Sequence, residues 1–136
     1  MKTILFACVE NAGRSQMAAA LFNVTADPSK AHAISAGTRP GERVHPAVVE
    51  VMRELGVELG GVVPRKLTED VASQAQVLVT MGCGDQCPFV PGARVEDWPL
   101  PDPKGQPIHV VRQIRDEIRA RVEDLIARDG LSKATA

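Results

Sequence analysis

A thiol and a guanidinium stand close to the start of the chain at a spacing suited to attack on an anion. Cys8 and Arg14 are separated by Val9, Glu10, Asn11, Ala12 and Gly13, and Ser15 follows. The apolar run 2–8 before them reads as a buried strand. The Ala-, Met- and Leu-rich segment after them reads as a helix. A strand-to-helix turn of this kind directs backbone N–H groups into one hollow at the positive end of the helix. Such a hollow takes a tetrahedral oxyanion. Arg14 adds a planar fork of donors. Gly13 is expected to let the turn curl. Cys8 at the floor is expected to be held as a thiolate, a nucleophile aimed at the bound anion. A lone cysteine at a strand end is more often a core residue; the Cys-x5-Arg-Ser spacing at a strand–helix junction favours chemistry.

Two further thiols and one acid complete the candidate set. Cys83-Gly-Asp-Gln-Cys87 places two cysteines in an irregular stretch, 82–92. Structural zinc needs four ligands in paired spacings. His32, His45 and His109 supply no such pattern, so no metal site is expected. Two idle thiols remain an alternative, and a redox pair is the stronger reading. Cβ atoms four apart in a helical turn lie about 5–6 Å apart. A disulfide needs about 3.5–4.5 Å. Closure therefore demands a non-helical or changing segment, which Gly82, Gly84 and Gly92 permit. A thiolate attacking an oxyanion also needs an acid for the departing oxygen. Asp102, before Pro103, is the candidate; Asp97, before Trp98, reads as a strand or surface carboxylate.

These residues need a scaffold, and the pattern supplies one. Strands are predicted at 2–8, 31–38, 76–81 and 93–98, the last edge-like. Helices are predicted at about 14–26, from Pro46 to Gly56, for one or two turns from Thr68, and from Ile108 to Arg128, with the tail after Gly130 frayed. Pro46 suits a first helical turn, and Thr68 a cap. Alternating strands and helices give an α/β class: a single domain, 1–136, with an open parallel four-stranded sheet flanked by helices. Such sheets bind ligands beyond the carboxyl ends of their strands. Cys8, Cys83 and Asp102 all fall at or beyond such ends and are expected on one edge.

Composition sets the limits. The chain has 136 residues, 44% of them apolar, with three Phe, one Trp and no Tyr. That is enough for one domain with a largely aliphatic core. Net charge is −1, so no global field attracts nucleic acid or an anionic membrane. No apolar run reaches membrane-spanning length, and the first strand leaves no room for a signal peptide. Three cysteines form a poor disulfide framework. A cytoplasmic, monomeric protein is expected, its thiols serving chemistry.

The segment Cys8–Ser15 resembles the oxyanion loop of the low-molecular-weight protein tyrosine phosphatases and their relatives. The resemblance extends over nearly the whole chain through Arg14-Ser15-Gln16-Met17, Ser35-Ala36-Gly37, Val79-Thr80-Met81 followed by Cys83 and Cys87-Pro88, and Asp102-Pro103. It implies that Asn11 shapes the turn, that Ser15 hydrogen-bonds the thiolate and that Asp102 is the general acid. Phosphatases of this fold usually carry Tyr after the Asp-Pro; here Lys104-Gly105 follow. With its later cysteines, the chain looks like the arsenate reductases of this fold that draw electrons from thioredoxin or a related thiol carrier. That resemblance implies arsenate as substrate, no cofactor, attack by Cys8, and a disulfide passed from Cys8–Cys83 to Cys83–Cys87. The spacing of the later cysteines is narrower than in thioredoxin-coupled members. A reductase served by glutathione, mycothiol or bacillithiol with glutaredoxin, a phosphatase, and a non-enzymatic oxyanion sensor stay open as alternatives. Some members bind potassium through a Glu eight positions after the loop Asn; Ala19 stands there, so no such site is expected.

Overall fold

In the computed structural model, which describes residues 1–83 and 90–133, strand β1 (Lys2–Cys8) is central and buried in all but its first residue. Strand β2 (Ala31–Gly37) pairs parallel to one side of it, and β3 (Val77–Thr80) to the other. Strand β4 (Arg94–Asp97) pairs parallel with β3 and ends the order β2-β1-β3-β4. The chain thus leaves β1 for one side and later returns to the other. The carboxyl end of β1 is the point where the order reverses, the usual ligand position in an open α/β sheet.

Helices α1 (Arg14–Thr25), α2 (Pro46–Arg53), α3 (Glu69–Ala72) and α4 (Ile108–Arg128) complete the fold. The period-two alternation of β1 divides the core into two layers. Ile4, Phe6 and Cys8 face a large cluster built with α1, α2 and α4. Leu5 and Ala7 face a smaller one with Ala72, Ala75, Leu78, Cys83 and Val90. Helix α1 is buried on nearly every side over its first turns, so its residues read as apolar without a clear stripe. The core is mainly aliphatic, yet Phe6 gathers Phe22 and Trp98 around it, with ring centroids 6.2 and 5.5 Å away.

Two expectations change. Helix α2 stops at Arg53 rather than Gly56: Gly56 takes φ +76° and its N–H bonds Arg53 O, while Val57 N–H bonds Met52 O. That is a Schellman closure, in which a left-handed glycine satisfies the last carbonyls. Helix α4 ends the same way at Gly130. The stretch after Gly130 is not frayed over its described residues: Leu131 is buried, its carbonyl accepts from Asp27 N–H, and Ala26 bridges Ser132. The outer edge of β2 is covered by side chains. Asn23 pairs its side-chain amide with both backbone groups of Ala33, and Arg65 Nε donates to Ser35 O. Covered edges of this kind resist pairing with other chains. Among the described residues, no helix is long and apolar enough to cross a membrane.

Candidate active site

The loop from β1 to α1 is shaped by where its carbonyls go. Cys8 O accepts from Thr38 N–H, Val9 O from Arg39, Glu10 O from Gly41, Ala12 O from His45 and Gly13 O from Met17. Asn11 O accepts from Gln16 Nε2. Every carbonyl from 8 to 13 is therefore drawn outward, to the 38–45 segment or to α1. The N–H groups of Glu10, Ala12 and Gly13 meet no acceptor among the described residues, and α1 has no side-chain N-cap. Unsatisfied donors around a helix N-terminus make a preformed anion cradle.

Asn11, fully buried, is the loop's internal brace. Its Oδ1 accepts from Gln16 Nε2 at 3.0 Å and Arg65 N–H at 3.0 Å. This fixes the amide orientation, so Nδ2 donates to Ser15 Oγ at 2.8 Å. Ser15 then has its hydroxyl proton free for Cys8 Sγ, 2.8 Å away. Asn11 N–H also points at that sulfur, at 3.3 Å. Two donors converge on Cys8 Sγ, as suits a sulfur that must act as an anionic nucleophile.

The turn is made differently from the sequence expectation. The left-handed residue is Asn11, at φ +52°, not Gly13; Asn enters this region more readily than most residues. Gly13 is required for closeness, since a Cβ there would lie 2.7 Å from Pro103 Cγ. Gly37, paired with Cys8 across the sheet, has the same function: a Cβ would lie 2.5 Å from Val9 O and 2.8 Å from Asn11 N.

Arg14 is buried, and its direction is set from far along the chain. Nη1 donates to Leu100 O at 3.1 Å, and Nη2 lies 3.8 Å from Asp102 Oδ2. The guanidinium rests over Gly82, whose missing Cβ would lie 3.1 Å from Arg14 Cζ. Asp102 is half-exposed, and its Oδ1 accepts from Lys104 N–H at 3.0 Å. A cavity of about 110 Å³ is lined by Cys8, Val9, Glu10, Ala12, Gly13, Arg14, His45 and Asp102. At its mouth Glu10 binds Lys104 Nζ at 2.9 Å and faces His45 Nε2 at 3.4 Å. The hydrogen bond that Lys104 donates to Glu10, the charge of Glu10 and that of Asp102 raise the Lys104 ammonium above its ordinary value.

The structure therefore brings together Cys8, the 9–14 loop, Ser15 and Asp102. Cys83 lies at the same edge of the sheet but belongs to the smaller layer, opposite the one Cys8 joins. Its Sγ lies 3.8 Å from the carbonyl oxygen of Ala7, the residue before Cys8. Cys83 is disulfide-bonded, whereas Cys8 is a free cysteine. The expectation for Cys87 lies outside the described residues. Asp97, the last residue of β4, accepts from Thr80 Oγ1 at 2.8 Å and does not line the cavity. No group of three or more potential metal ligands occurs among the described residues. Sequence reasoning gave no role in the anion site to Gln16, Gly37, His45 or the Leu100 carbonyl, and gave Gly82 only the freedom of the 82–92 segment. Gln16 and Gly37 stood inside recognisable motifs; His45 N–H and Leu100 O are backbone groups and carry no side-chain signal.

Known proteins resemble this chain over most of its length. The family described as low molecular weight phosphotyrosine protein phosphatase matches residues 3–135. A Halobacterium salinarum protein, provisionally named an arsenate reductase, is 40% identical over 124 residues, covering 88% of this chain and 87% of its own. A glutaredoxin arsenate reductase of Synechocystis is 36% identical over 131 residues, covering 94% and 98%. The structure of a thioredoxin-dependent arsenate reductase of Corynebacterium glutamicum superposes with TM-score 0.83 at 39% identity; the match covers 98% of this chain and spans 64% of that one.

Proposed function

This chain belongs to the low-molecular-weight phosphotyrosine protein phosphatase family, and from that premise we propose that it reduces arsenate to arsenite through a relay of its three cysteines. Arsenate sits in the 9–14 cradle, held by backbone N–H groups and Arg14. The Cys8 thiolate forms a bond to arsenic, and one oxygen leaves as water with a proton from Asp102. Once the thiol donor has reduced the disulfide that Cys83 carries in this structure, the Cys83 thiolate attacks Cys8 Sγ. The sulfur–arsenic bond breaks, arsenic keeps the electron pair and leaves as arsenite, and a Cys8–Cys83 disulfide remains. Cys87 attacks Cys83, frees Cys8 and moves the disulfide to Cys83–Cys87. A thioredoxin dithiol reduces that pair by exchange, a step that suits the reducing cytoplasm.

The observation that carries the reading is a second sulfur, that of Cys83, beside the last peptide of the strand that bears the nucleophile. A phosphatase has no use for it. The similarity to arsenate reductases over most of the chain supports the same choice. The Synechocystis relative's name favours a second donor, glutaredoxin with a small thiol. The family's own name supports phosphate-ester hydrolysis, which needs only Cys8, Arg14 and Asp102.

One assay separates these readings. Arsenite formation is followed with a thioredoxin system, then with glutaredoxin and a small thiol, beside hydrolysis of para-nitrophenyl phosphate. Steady turnover with thioredoxin supports the relay; ester hydrolysis without arsenite formation supports the phosphatase. In Cys87→Ser, a single turnover should release arsenite and leave a trapped Cys8–Cys83 disulfide. Its mass should show two hydrogens lost and no arsenic retained. Steady turnover of that variant with thioredoxin alone removes the three-cysteine relay.

A further inference from the structure

Three separate segments meet over the mouth of the anion cavity, and one carboxylate joins them. Glu10 belongs to the β1–α1 loop, His45 immediately precedes α2, and Lys104 lies in the turn that carries Asp102. Glu10 Oε1 binds Lys104 Nζ at 2.9 Å while its Oε2 faces His45 Nε2 at 3.4 Å. Lys104 is also tied to the acid, since its backbone N–H donates to Asp102 Oδ1 at 3.0 Å. Gly105 takes φ +73° just after it, the conformation that lets the turn fold back.

We propose that the Glu10–Lys104 pair is a specificity-determining strap that confines the cavity to a free tetrahedral oxyanion and keeps out anions bearing an organic substituent. Displacement at the bound centre needs the leaving oxygen roughly opposite the attacking Cys8 sulfur. That oxygen points to the mouth, where Asp102 protonates it. In a free oxyanion the leaving oxygen is bare and fits beneath the strap. In an ester the same oxygen carries its alkyl or aryl group toward Glu10 and His45, which line the cavity, and toward Lys104, which Glu10 holds beside them. A cavity of about 110 Å³ offers little room elsewhere. The pair also settles an electrostatic difficulty. A carboxylate beside an anion site repels the anion, and Lys104 cancels that charge where it stands. The inference rests on the anion-binding reading of the same cavity and adds the residues that select the occupant.

The test measures binding of inorganic phosphate, by competitive inhibition, and kcat/KM for para-nitrophenyl phosphate. Lys104→Met should raise ester hydrolysis relative to phosphate affinity by about fivefold, the scale of one exposed ion pair. Phosphate affinity itself should fall, because Glu10 is left unneutralised. The double variant Glu10→Gln/Lys104→Met should return phosphate affinity to within about twofold of the parent while ester hydrolysis stays raised. The exchanged pair Glu10→Lys/Lys104→Glu should lower ester hydrolysis again. Ratios within twofold of the parent in all three variants overturn the strap. So does parallel loss of both readouts without recovery in the double variant, the signature of a merely structural turn. Parent protein that forms no arsenite with any donor removes the proposed reduction and leaves this test intact, because both probes read the anion site alone.

Discussion

The carboxyl ends of β1 and β3 lie side by side in the sheet, and they are built on opposite terms. At the end of β1 each carbonyl from Cys8 to Gly13 has a named donor, and Asn11 binds Ser15, Gln16 and Arg65 at once. The large core layer beneath it is backed by three helices. At the end of β3, Gly82 takes φ +99° and Cys83 joins the smaller layer, under the single turn of α3. The difference follows from the chemistry each end is proposed to do. A nucleophile and an anion cradle gain from fixed geometry, because misplacement by an ångström costs rate. A thiol that must reach a neighbouring sulfur and then a third one gains from a thinner cover.

The strongest way to break the comparison is to silence the rigid end. Cys8→Ser should abolish both arsenate reduction and ester hydrolysis while leaving the melting temperature within a few degrees, because a hydroxyl keeps the Ser15 contact but is not an anion near neutral pH. Turnover near the parent's rate in that variant, measured with either donor, means the nucleophile lies elsewhere.

The next effect sharpens the assignment of the acid. Asp102→Asn should slow the first step by roughly 10²–10⁴-fold, the worth of a positioned acid. Asp97→Asn should do far less, since that carboxylate is engaged by Thr80 outside the cavity. Pre-steady-state release of the leaving group from para-nitrophenyl phosphate reads the step directly; a reversed order moves the acid to Asp97.

Rigidity itself can be loosened at Gly37. An added Cβ would press on Val9 O and Asn11 N, which are backbone atoms and can yield only by moving the loop. Gly37→Ala should cost about 1–3 kcal/mol of stability, as overpacking does, and should weaken phosphate binding as well. Denaturant unfolding and phosphate inhibition check the two halves. Unchanged phosphate affinity would show that the cradle tolerates a shift.

The smallest effect lies far from both strand ends, where α2 meets α4. Hydrogen bonds from Arg112 and Arg115 lower the Glu54 carboxyl to about 2 from an ordinary 4.5. A lowered acid stabilises the fold fully above its unfolded value, and that contribution is lost as pH falls through the folded one. Glu54→Gln should therefore unfold somewhat earlier than the parent at neutral pH, with the gap closing between about pH 4.5 and 2. The effect is small, because Glu54 is accessible and solvent screens the pair. Both Tm values against pH measure it, and a constant gap down to pH 2 would assign the loss to packing.

Much of this was readable in the sequence because it depends on near neighbours. Strand β1, the start of α1 and the whole of α4 follow from runs and spacings that each residue senses within a turn or two. Cys8, Arg14 and Ser15 could be singled out for the same reason: one loop holds them. The placement of Asp102 was signalled only by the proline after it.

Tertiary structure decided what spans the chain. The carbonyl that aims Arg14 lies 86 residues away at Leu100, and the N–H that locks Asn11 lies 54 away at Arg65. Backbone groups carry no side-chain identity, so no residue type marks them in advance. The left-handed turn passed from Gly13 to Asn11 because the packing of Pro103 needs the glycine and three side-chain partners hold the asparagine. Cys83 entered the layer opposite Cys8 for the same kind of reason. A position in sequence says which strand end a residue follows, and only the pleat and the helices packed on it say which face receives the side chain.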